Sequence, residues 1–116
     1  MKIRKAINIL EDNISNPTFG LPNDIFEFIS KNTPMINVDL LIKDKNNRIL
    51  LSWRDNDVPT PGWHLPGGIL RYKESLSQRI EKVAIAEIGQ LVQYNPIPLA
   101  INQITKMRNI RGHFVS

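Results

Sequence analysis

The stretch that decides the reading of this chain is Pro66 to Gly89, PGGILRYKESLSQRIEKVAIAEIG. Within it Ser75 is followed three residues later by Gln78, the spacing of a capping box, and this fixes a helix start. At about 100° per residue, Leu76, Ile80, Val83, Ala84 and Ile88 fall on one face. Gly89 stands where a helix C-terminus takes a left-handed residue, so the helix is predicted over Ser75 to Ile88. Glu87 breaks the pattern: it lies in the middle of the apolar arc and in the last turn, where the helix dipole disfavours a carboxylate by ~0.3–1 kcal/mol. Desolvation and dipole both act against it, and an opposing positive charge is the natural remedy. The pattern leaves two readings open. Either Glu87 snorkels past Ile88 to water or pairs with a lysine, or it holds a cation. Pro66-Gly67-Gly68 brings backbone close to the helix without intervening side chains, which offers a free carbonyl as an oxygen ligand for a hard cation such as Mg²⁺.

Upstream of this stretch, Ile3, Ala6, Ile7, Leu10 and Ile14 recur at helical spacing, so Lys2 to Ile14 reads as an amphipathic helix ended by Pro17 and Gly20. A second helix is read from Asn23 to Ser30, before Thr33-Pro34. Met35 to Lys43 is rich in Ile, Val and Leu and reads as a strand. Lys45-Asn46-Asn47 turns it into a second strand, Arg48 to Arg54. Asp55 to Gly62 is a loop, Trp63-His64-Leu65 a short extended piece, and Pro66 to Glu74 a loop leading into the long helix. Beyond Gly89, Ile97 to Lys106 and Gly112 to Ser116 read as strands. His113-Phe114-Val115-Ser116 opens like a buried strand with nothing to close it, so the domain is expected to continue past Ser116 or to be covered by a partner chain.

Composition narrows the class. A chain of 116 residues suits one domain, and 41% hydrophobic with 22% charged residues is the balance of an ordinary globular protein. Cysteine is absent, so any metal must be held by oxygen or histidine. The net charge of +4 favours anionic ligands, but fifteen Lys and Arg residues are scattered among eleven acids without a basic block. Nucleic acid is therefore not expected as a partner. No apolar run approaches the roughly 18 residues that span a bilayer, and the first twenty residues are too charged for a signal peptide, so a cytoplasmic protein without membrane contact is expected. His64 and His113 are the two histidines. Each is flanked by apolar residues, and a packed or hydrogen-bonded role is the reading for both.

The segment Gly68 to Gly89 resembles the Nudix box. Gly68, Glu74, Glu87 and Gly89 match at the required spacing, Lys82 stands for the box arginine, and Val83 and Ala86 replace two of its acids. Its ending, Ala86-Glu87-Ile88-Gly89, is similar to that of the GDP-mannose mannosyl hydrolase branch. The likeness extends to Thr33-Pro34, to Asp39 and to Arg54, and covers roughly Leu21 to Ser116. It implies an α/β fold, a Nudix-type α/β/α sandwich with a mixed sheet, over residues 21–116, incomplete at its C-terminus, with residues 1–20 as a helical extension.

The resemblance also implies a chemistry. Gly67, through its carbonyl, and Glu87 would hold Mg²⁺, with a further glutamine and the general base in a later loop that the 116 residues do not contain. The reaction would be attack of water on the anomeric carbon of a nucleoside diphosphate sugar such as GDP-mannose, with Mg²⁺ neutralising the departing diphosphate. Arg54 and Lys82 would assist as fixed cations. Asp39 would orient the sugar or the base, though a polar residue within a strand equally caps a neighbouring turn. The family's arginine after Gly-Gly is Ile69 here, with Arg71 near enough to replace it, and a substrate-contacting tyrosine corresponds to Phe114. Glu74 reads as structural, beside a helix N-terminus. Relatives in this branch are dimers, so a homodimer is expected. Two other functions fit the residues: a Nudix pyrophosphohydrolase that breaks a P–O bond, which the lost acids at Val83 and Ala86 disfavour, and a Nudix-like nucleotide-binding module without catalysis.

Overall fold

The computed structural model describes residues 1–55, 61–105 and 112–116. In chain order the elements are α1 (Lys2–Asp12), α2 (Asn23–Asn32), β1 (Met35–Asp39), β2 (Ser52–Arg54), β3 (Gly62–His64), β4 (Gly67–Ile69), α3 (Leu76–Ile88), β5 (Gln103–Thr105) and β6 (His113–Val115), with a 3-10 turn at Pro17–Phe19. Four strands form one sheet in the order β4-β1-β6-β5. β1 runs antiparallel to β4 and parallel to β6, and β5 is antiparallel to β6, so the sheet is mixed and the fold is α/β. β2 and β3 form a separate antiparallel pair.

The helix α3 follows from its own sequence. Ser75 accepts from the Gln78 backbone N–H while the Gln78 side chain accepts from the Ser75 N–H, and Gly89 closes the helix at φ 81°. Its Val83 and Ala84 are buried against Leu40, with Val38, Ile42, Ile80 and Val92 packed around them. This small core fixes α3 on β4 and β1, and so fixes Glu87 relative to the edge of the sheet.

Three expectations from the sequence are corrected. Residues 67–69, read as part of a loop, form the edge strand β4. Gly-Gly has no side chains with which to signal a strand, and the pairing is imposed by β1. The first strand ends at Asp39 instead of Lys43. The turn that follows is a hairpin, held by an isolated Lys43–Ile49 bridge and by Asn47 at φ 60°, and regular pairing resumes only at Ser52. The strand read over Ile97 to Lys106 is regular only at Gln103–Thr105, because Pro96 and Pro98 break the earlier part. The centre of the loop read between Asp55 and Gly62, and Lys106, lie outside the described residues. No helix among the described residues is long and apolar enough to cross a membrane.

Candidate metal and diphosphate site

The β1–β4 register places Asp39 opposite Gly67. Leu40 N–H donates to Pro66 O and Leu70 N–H to Ile36 O, each at 2.8 Å, so Asp39 and Gly67 are a non-hydrogen-bonded pair, where side chains approach most closely. A Cβ on Gly67 would run into the Asp39 carboxylate and come within 2.8 Å of the Val38 carbonyl oxygen. Glycine is required there by contact and not by backbone conformation. In the same pairing the Gly67 carbonyl points away from β1, towards the open side of the edge strand.

What meets it is Arg54, from the end of β2. Arg54 Nη2 lies 3.4 Å from Gly67 O and donates to Glu87 Oε1 at 2.9 Å. One guanidinium nitrogen therefore sits between the two oxygens that the resemblance assigns to Mg²⁺. The Glu87 side chain is 24% exposed and that of Arg54 36%, so the pair is partly open to solvent and not in the core. The opposing charge that Glu87 needs at a helix C-terminus is supplied by Arg54.

Asp39 completes a second cluster against Gly67. Its Oδ2 accepts from Ser116 Oγ at 2.8 Å, and Ser116 Oγ accepts from Asn37 Nδ2 at 3.0 Å. Gly67 is the common neighbour of Asp39 and Arg54. Phe114 lies in β6 opposite Met35 and Ile104.

Lys82 and Arg71 belong elsewhere. Lys82 Nζ donates to Glu74 Oε2 at 2.9 Å, and the Arg79 guanidinium grips both Glu74 oxygens at 2.6 and 2.8 Å. The Glu74 side chain is 2% exposed. Arg79 chiefly, then Lys82 and the Arg71 backbone N–H, hold the Glu74 carboxyl down at about 2 against the opposing effect of burial. This network ties the 71–74 turn to α3. The Arg71 guanidinium packs beside Gly20, with Cζ 3.5 Å from where a Cβ would stand, and no described hydrogen bond joins it to Glu87 or Gly67. Two residues escaped the sequence reading. Arg79 falls between Leu76 and Val83 on the inner face of α3, so its helical position was the available signal. Ser116 gave none, because its role depends on the long-range β1–β6 pairing. His113 Nε2 pairs with Gln103 Nε2 at 3.2 Å.

Gly67 O and Glu87 Oε1 both approach the same Arg54 nitrogen, so the two oxygens share one cationic neighbour. Two protein oxygens suit Mg²⁺ if water and substrate phosphate supply the rest of an octahedron. Among the described residues no group of three or more acids or histidines is present to hold a metal without such help.

No family model matches the chain. Over 73 residues, 63% of its length, it is 36% identical to the low-salt glycan biosynthesis protein Agl8 of Haloferax volcanii, and the match covers 46% of that protein. The chain spans about half the length of the curated relative it matches.

Proposed function

We propose that this chain carries the diphosphate-handling part of a Nudix-type α/β/α sandwich hydrolase, acting with Mg²⁺ on a nucleoside diphosphate sugar such as GDP-mannose. The observation that carries the reading is the convergence of Gly67 O, Glu87 Oε1 and the Arg54 guanidinium at the edge of β4. The relative's name places that protein in glycan biosynthesis, a process that consumes activated sugars.

The chain's own residues divide the work. The Glu87 carboxylate and the neutral Gly67 carbonyl would supply the oxygens that hold the cation, which, when bound, offsets the charge of the departing diphosphate. Arg54 is half exposed and held by one strong bond, so it is free to exchange Glu87 for phosphate oxygens, which it can grip in bidentate fashion. Asp39 is anchored by Ser116 and faces the same glycine, where it can accept from sugar hydroxyls. Lys82, held by Glu74, acts as a fixed positive charge behind the site instead of touching the reacting atoms. Arg71 and Phe114 would serve as outlying substrate contacts, and pairing of two copies would complete the assembly.

A second reading, a nucleotide-binding module without catalysis, is favoured by one observation: Arg54 already satisfies both proposed ligand oxygens. Incubation with a nucleotide sugar and Mg²⁺ separates the readings. Free sugar plus nucleoside diphosphate supports the proposal. Sugar phosphate plus mononucleotide indicates a pyrophosphohydrolase, and binding without turnover indicates the module.

A further inference from the structure

The strand register gathers polar side chains on one face of the sheet. α3 packs on the face that carries Val38, and side chains alternate along a strand, so the neighbours Asn37 and Asp39 project to the opposite face. In β1 and β6, Met35 pairs with Phe114 and Ile36 with Val115. One step further along this parallel ladder, Asn37 comes level with Ser116. β5 holds Ser116 in place, since Ser116 and Asn102 exchange backbone hydrogen bonds in both directions, at 2.7 and 2.8 Å. Asn37 and Ser116 are half-buried, and Asp39 is exposed.

The hydrogens of this cluster follow from counting donors. Ser116 Oγ lies 2.8 Å from Asp39 Oδ2 and 3.0 Å from the Asn37 side-chain amide. An ionised carboxylate only accepts, and a hydroxyl has one proton to give, so that proton goes to Asp39. Asn37 must then present its NH2 to Ser116, because its carbonyl would face an oxygen with no proton left to share. Donation therefore runs one way, from the Asn37 amide to the Ser116 hydroxyl to the Asp39 carboxylate. This occupies Oδ2. The other oxygen, Oδ1, has no hydrogen-bond partner among the described residues and fills the space that a Gly67 side chain would need.

We propose that Asn37 and Ser116 are positioning residues that fix Asp39 as an acceptor beside Gly67, so that the site selects a ligand carrying a hydroxyl donor next to its diphosphate. The inference rests on the diphosphate-sugar reading and adds to it the residues that set how the sugar is read. Asp39 meets the hydroxyl, while Ser116 and Asn37 act through Asp39. A hydroxyl that donates to Oδ1 forms a charge-assisted bond, stronger than a neutral one. A bare diphosphate, whose oxygens accept, gains nothing from the same carboxylate. Loss of the Ser116 hydroxyl has two effects: it releases Asp39 to rotate, and it leaves the half-buried Asn37 amide without its acceptor.

The test compares GDP with GDP-mannose, each titrated into the whole chain with Mg²⁺ by stopped-flow tryptophan fluorescence, which reads binding ahead of turnover. The wild type is expected to bind GDP-mannose roughly tenfold more tightly than GDP, the worth of one hydrogen bond to a charged group. Ser116→Ala should lose most of that gain and Asp39→Asn all of it, with affinity for GDP unchanged in both. Ser116→Thr, which keeps the hydroxyl, should retain the gain. Because Ser116 acts through Asp39, adding Ser116→Ala to Asp39→Asn should change nothing further. If GDP binds but the sugar adds no affinity, or if Ser116→Ala leaves the gain intact or weakens GDP equally, the proposal is overturned and the diphosphate reading stands. If neither ligand binds, the diphosphate reading falls and this inference falls with it.

Discussion

Arg54 and Glu87 stand 33 residues apart in sequence and are joined by a 2.9 Å ion pair across the gap between β2 and the end of α3. The same Arg54 nitrogen reaches the Gly67 carbonyl, so a residue expected to act on phosphate spans the two oxygens expected to hold metal. If Arg54 and Mg²⁺ compete for that position, Arg54→Gln should bind bare Mg²⁺ several-fold more tightly while binding a nucleoside diphosphate more weakly. Calorimetric titration of each ligand measures both. A loss of affinity for both would mean that Arg54 supports the metal site instead of competing for it.

Glu74 presents the opposite case, a carboxylate that is buried and fully engaged. Glu74→Gln leaves Arg79 buried beside a neutral group, and a loss of roughly 2–4 kcal/mol in unfolding free energy is expected. Urea denaturation gives the value. A change within experimental error would show that the network is dispensable.

The same carboxylate sets an acid limit. Its folded pKa of about 2 lies below the ordinary 4.5, so the unfolded chain binds the proton more readily. The stabilisation is complete above about 4.5 and is lost as pH falls from there through about 2. Wild-type stability should therefore decline across this window, and the Glu74→Gln variant should show a shallower slope. Parallel slopes would remove Glu74 as the cause.

Gly67→Ala tests the close approach of the two strands. The added methyl meets Asp39 and Val38, and overpacking of this kind costs about 1–3 kcal/mol. Combining it with Asp39→Ala should recover part of the loss, because one of the two obstacles is gone. Strict additivity in denaturation experiments would show that the two positions do not touch.

The parts legible in the sequence were those with local causes. Ser75, Gln78 and Gly89 delimit α3 by hydrogen bonds within a few residues, and the periodicity of α1 and α2 is likewise local. β4 was not legible, because two glycines carry no alternation and the strand exists only through β1. The need of Glu87 for a positive partner followed from its place on the wheel, but that Arg54 meets it depends on how β2 lies against α3. Lys82 matched a motif position, and only the folded turn shows it bound to Glu74.

The most direct test of the central claim is calorimetric titration of the chain with a nucleoside diphosphate, with and without Mg²⁺, beside Glu87→Gln and the exposed control Glu81→Gln. The account predicts that Mg²⁺ tightens binding at least tenfold in the wild type and in Glu81→Gln, and that this gain disappears in Glu87→Gln. An equal Mg²⁺ effect in all three proteins would contradict it, since the metal would then be held somewhere other than Glu87.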